Sequence, residues 1–155
     1  MDSKRLSARE LLAAGGVVLS LLFVGLEIQQ NTNAIKATAI QEFSSSYREH
    51  SALYINDPDM ARIIQIAQKD IEMLNDEEAQ RYFGWVYVGS LLAQSAFRQW
   101  QLGVLPDEEW SIIVKTWCKE AKNPNAEARD KVIEPFLVPS FVQAIDDSCN
   151  AEQSD

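Results

Sequence analysis

Apolar residues recur along this chain in three ways, and each predicts a different kind of element. From Leu11 to Leu26 they are nearly continuous: LLAAGGVVLSLLFVGL holds no charge and one hydroxyl. From Ile28 onward they fall at spacings of four and seven, at Ile28, Ile35, Ala39, Phe43, Tyr47 and Tyr54, which is the stripe of one helix face. Beyond Asn56-Asp57-Pro58 helical periodicity returns in shorter stretches, separated by Pro, Gly, Asn and Asp.

No helix breaker lies between the first two patterns. They predict one long helix over about residues 8–54, with Ser44-Ser45-Ser46 as a place where it can bend. Ser7 and Glu10 have the spacing of a capping box at its start. Asp57-Pro58 reads as a cap followed by Pro at the first helical position. The helix it opens is expected to reach about Leu74, with Met60, Ile63, Ile64, Ala67, Ile71 and Leu74 inward. Asn75 and Glu78 form the capping box of a third helix carrying Tyr82, Phe83, Trp85, Val86, Val88, Leu91, Leu92, Phe97 and Trp100. Gly103 sits where a left-handed residue ends such a helix. A fourth helix starts at Leu105-Pro106-Asp107-Glu108-Glu109-Trp110, with Ile112, Ile113, Val114, Trp117 and Cys118 as its apolar positions and Asn123-Pro124-Asn125 closing it. Short helices near 126–133 and 141–148 complete the pattern, and residues 150–155 read as a frayed tail.

The fold class is therefore all-α: an N-terminal transmembrane helix continuing into a small helical bundle. Residues 1–28 form the anchor and 29–149 the helical domain. The uncharged run of sixteen residues is about 24 Å long at 1.5 Å per residue. That is slightly less than the ~30 Å hydrocarbon core, and Ile28 and a snorkelling Arg9 extend it. Two other readings fit the same run. A signal peptide has this basic start, but no small-x-small cleavage site follows, so the segment is expected to stay on the chain. A buried core helix of a soluble bundle is the other. In the anchor reading residues 11–28 contact membrane lipid. Gly15, Gly16, Ser20 and Gly25 then offer a close-approach face to another membrane helix, Gly16 and Ser20 being a small-xxx-small pair. Lys4, Arg5 and Arg9 precede the span, against Lys36 and Arg48 after it. This bias favours a cytoplasmic N-terminus and an extracytoplasmic domain.

Charge narrows the partners. Net charge is −9, and residues 29–155 carry 11 basic and 20 acidic side chains. Such a domain repels phosphate backbones, and no nucleic-acid partner is expected. The third helix is apolar on more than one side, so Tyr82, Trp85 and Trp100 are a candidate partner face. The partner would be a second copy or another membrane protein.

Candidate chemistry is sparse. His50 is the single histidine and, beside Ser, Arg and Glu, reads as a surface residue. A di-iron site needs paired Glu-x-x-His motifs, and the acidic clusters lack the oxygen-ligand pattern of an EF-hand. No phosphate loop or nucleophile elbow occurs. No catalytic residue, cofactor or metal is expected. Cys118 and Cys149 are candidates for one disulfide in an oxidising compartment and small apolar fillers in a reducing one.

The stretches VVLSLLFVGLEIQQNTNAIKATAIQEF and FRQWQLGVLPDEEW resemble a large group of bacterial proteins of unknown function. These have one N-terminal membrane helix, a Gln/Asn/Thr-rich exit and a small C-terminal helical domain. The resemblance implies the same layout and a place in the bacterial inner membrane, and it carries no activity. Function is expected to be non-enzymatic: a membrane-anchored interaction or accessory subunit. The alternatives are a sensor or ligand-binding module with an apolar cavity, and a soluble bundle with residues 11–26 as core helix.

Overall fold

The computed structural model describes residues 8–152. Six α-helices and two 3₁₀ turns account for the described secondary structure, and no strand occurs among the described residues. The helices are α1 (Ala8–Ile55), α2 (Pro58–Lys69), α3 (Asp76–Gln101), α4 (Asp107–Ala121), α5 (Ala126–Ile133) and α6 (Pro139–Glu152). The chain divides into two compact units, one ending at Thr38 and the other beginning at Ala39. α1 is helical through Ser44-Ser45-Ser46. The capping box expected at Ser7 and Glu10 lies outside the described residues.

In the first unit, residues 12–35 of α1 are exposed throughout. Val17, Val18, Leu19, Leu21, Leu22, Phe23 and Leu26 are each more than half exposed. At 100° per residue these seven positions span about 240° of the helix circumference, and Val24, 45% exposed, falls in the remaining arc. In the polar stretch that follows, Thr32 Oγ1 donates to the Ile28 carbonyl at 2.9 Å.

Local signals place the helix ends of the second unit. Asp57 caps α2, accepting from the backbone N–H of Asp59 and Met60 at 3.0 and 3.2 Å. α2 then buries Met60, Ile63, Ile64 and Ala67, the i, i+3, i+4, i+7 face. It stops at Lys69 rather than near Leu74. Asp70 turns extended and its carboxylate accepts from Glu72 N–H at 3.0 Å, starting a 3₁₀ turn over Ile71–Met73. A short acidic side chain competing for backbone donors ends the helix where apolar spacing alone would continue it. Ile71 and Leu74 still pack on the α2 cluster.

α3 opens with the reciprocal Asn75–Glu78 capping box. It closes at Gly103, φ +67°, whose N–H donates to the Trp100 carbonyl while Val104 N–H donates to Gln99. This is the 5→2 and 6→1 pair of a Schellman ending. The N-termini of α2 and α3 are joined by ion pairs. Arg81 contacts Asp57 and Asp59 at 2.8 and 2.6 Å, and Arg62 contacts Asp59 and Glu78, both at 2.7 Å. These guanidinium contacts hold the Asp59 carboxyl below its ordinary range. For Glu78 the bond from the Asn75 backbone acts first and Arg62 second.

The main core joins α3, α4 and α6. Ala93, Ala96 and Phe97 meet Leu105, Trp110, Ile113, Val114, Cys118, Phe141 and Ile145. The Phe97 ring lies 5.4 Å from that of Trp110 and 5.7 Å from that of Phe141, and Trp117 meets Phe141 edge-on at 5.5 Å. Ile112, counted among the apolar positions of α4, is 60% exposed. α6 begins at Pro139 and continues to Glu152, so Asn150 is helical rather than part of a frayed tail. Gln94 Oε1 accepts the Val138 N–H just before it, and Cys118 and Cys149 form a disulfide between α4 and α6, Cα atoms 5.3 Å apart. Asn125 Nδ2 donates to the carbonyls of Ala67 and Gln68, so the loop before α5 caps the end of α2.

Candidate functional site

The site assembles around His50, which is buried rather than on the surface. Its neighbours Arg48 and Glu49 are exposed, but Ile40, Phe43 and His50 lie at i, i+3 and i+10 on the side of α1 that faces α3 and α4. The imidazole stacks on Trp85, ring centres 5.0 Å apart and planes 15° from parallel. Gly89, one turn further along α3, makes room for it: a Cβ there would lie 3.0 Å from His50 Nε2. His50 Nδ1 and Trp85 Nε1 are both buried with no hydrogen-bond partner. Burial lowers the His50 pKa below its ordinary value, because the charged ring loses hydration that no acceptor replaces.

Below this pair lies a cavity of about 230 Å³, with His50, Tyr82, Trp85, Trp117, Glu120 and Arg129 among its walls. Arg129, from α5, has its side chain 10% exposed. Its Nε donates to Asp130 Oδ1 at 2.7 Å, and its Nη1 stands 3.9 Å from Glu120 Oε2. Burial raises the Tyr82 pKa. A second cavity of about 220 Å³ adjoins the first and shares Tyr47, Gly89, Thr116 and Trp117 with it. Its other walls are mainly apolar, with Ile40, Phe43, Leu92 and Ile113, and among the described residues Glu109 is its one carboxylate. Arg129 also borders a third cavity, of about 430 Å³, toward α6. Among the described residues no three His, Cys, Asp or Glu side chains converge as metal donors would.

The residues singled out from the sequence are dispersed. Gly15, Gly16, Ser20 and Gly25 lie on the exposed stretch of the first unit, and Cβ atoms added at the three glycines would meet nothing within 4 Å. Tyr82 is buried with the α2 cluster, Trp85 is half-buried under His50, and Trp100 stacks on Trp110 at 5.4 Å and donates to Asp107 at 2.7 Å. Each of these aromatics has a ring neighbour within the chain. Arg129 was not singled out, although a signal existed: Ala126, Arg129 and Ile133 share the buried face of α5, an unusual place for a charge.

Compared with family models, curated proteins and solved structures, the chain matches none.

Proposed function

We propose that this chain is a membrane-tethered, non-enzymatic accessory or interaction subunit. One N-terminal span, residues 11–28, anchors an acidic all-α domain on the oxidising side of a bacterial inner membrane. The observation that carries the reading is the exposure of every apolar side chain from Leu12 to Ile28. Leaving such a run in water forgoes about 1.5–3 kcal/mol for each large side chain. Hydrocarbon removes that cost, and the helix satisfies its own backbone there. The same exposure counts against a soluble bundle built around residues 11–26. The exposed glycines leave a face on which a second copy, or another membrane protein, can pack closely at Gly16 and Ser20.

Two observations support the orientation. Basic residues are denser before the span than after it. The Cys118–Cys149 disulfide belongs to an oxidising compartment. The test is alkaline carbonate extraction of membranes from cells expressing the full chain, beside the Leu19→Arg variant. The wild type is expected in the pellet. The variant, with a charge costing about 2.5–3.5 kcal/mol at the span centre, is expected to shift toward the supernatant. A wild-type chain released by carbonate would overturn the reading.

A further inference from the structure

The geometry points to a binding site for a single-chain amphiphile with a carboxylate head, seated in the two adjoining cavities beneath the end of α1. The apolar cavity of about 220 Å³ takes the chain, and the cavity of about 230 Å³ takes the head. Tyr47, Thr116 and Trp117 border both, so one ligand can run through the shared wall region.

Arg129 selects the head group. Among the described residues it is the one cation lining either cavity, and its side chain is nine-tenths buried. Of its five donors, Nε is used on Asp130, while Glu120 stays beyond hydrogen-bond reach of Nη1. A carboxylate matches the planar fork of a guanidinium in a bidentate manner. Glu109 lines the apolar cavity with its Oε2 buried and without a partner; of the two acidic side chains beside Arg129, Glu120 is 46% and Asp130 43% exposed. Water screens their repulsion of a bound anion more than it screens the attraction to Arg129. The mainly apolar lining of the adjoining cavity accepts a hydrocarbon chain and offers few partners to a polar one. The site involves residues after Ala39 alone, so it stands whether or not the chain is tethered.

The test uses the full chain in lipid nanodiscs and tryptophan quenching by an ω-bromo-undecanoate, which brings bromine to Trp117. The same chain length is offered as the alcohol and as the amine. Saturable quenching by the carboxylate is expected, weaker by about ten- to a hundredfold in Arg129→Gln, as for a lost charge-assisted hydrogen bond. The alcohol should bind more weakly and be indifferent to that change. Thr116→Phe, at the shared wall, should abolish quenching by both while leaving the helical circular dichroism intact. Because this position faces solvent, the second variant keeps the test sound if Arg129→Gln fails to fold. Absence of saturable quenching, equal quenching in wild type and Thr116→Phe, or preference for the amine would overturn the assignment.

Discussion

Replacing Gly89 by Ala sets two opposing effects against each other at a defined contact. In a helix interior Ala is favoured over Gly by about 1 kcal/mol. Gly84, five residues earlier in α3, shows that gain undisturbed, because a Cβ there would meet nothing within 4 Å. At Gly89 the new methyl would lie 3.0 Å from His50 Nε2 and 3.4 Å from Cε1. Trp85, stacked on one face of the ring at 5.0 Å, limits its movement on that side. Overpacking of this kind costs about 1–3 kcal/mol. Gly84→Ala should therefore stabilise by about 1 kcal/mol, while Gly89→Ala falls between no change and a loss of about 2 kcal/mol. The cause is isolated by His50→Ala: with the ring gone, Gly89→Ala should recover the full helix gain. The double-mutant cycle then reads about 1–3 kcal/mol of coupling. Urea unfolding of the full chain in detergent, followed by circular dichroism, measures all four variants. If Gly89→Ala stabilises as much as Gly84→Ala with His50 in place, the imidazole does not occupy the position described.

Further outcomes follow from single features. Because burial lowers the His50 pKa, the native state favours neutral imidazole. Its contribution is fully present above the unfolded value of about 6.5 and lost as pH falls through the lower folded value. Melting temperatures from pH 8 to 5 should show this decline in wild type and its absence in His50→Gln. The lowered Asp59 and Glu78 carboxyls act in a separate window, losing their contribution below the usual carboxylate range of about 4. Gly103→Ala places a side chain at φ +67° and should cost about 1 kcal/mol in a denaturation midpoint. Cys118→Ser with Cys149→Ser opens a loop whose ends are 31 residues apart, which chain entropy values at about 3–4 kcal/mol. An unchanged melting temperature would mean that the bridge does not form.

What the sequence disclosed, and what it withheld, divides by the range of the interaction. The starts of α2 and α3 and the end of α3 were legible because Asp57-Pro58, Asn75…Glu78 and Gly103 act within a few residues of themselves. The long α1 was legible because nothing interrupts it. The stop at Lys69 was not, since apolar spacing continues through Ile71 and Leu74 while the Asp70 side chain redirects the backbone. His50 was misread because its immediate neighbours are polar, whereas its burial is decided by Trp85 and Gly89 some 35 residues later. An apolar cavity stood among the alternatives, but where the cavities lie and which residues line them was not legible. They arise where α1, α3, α4 and α5 fail to fill the space between them, and no single helix pattern encodes such a gap.

The tether itself is measured most directly by a nitroxide at position 19, introduced as Leu19→Cys in the full chain with Cys118 and Cys149 kept as their disulfide, in lipid vesicles. The expected result is strong relaxation by dissolved oxygen and weak relaxation by a polar nickel chelate, as for a label in hydrocarbon. A label reached by the chelate as readily as one at the exposed Ser95 would contradict the membrane span.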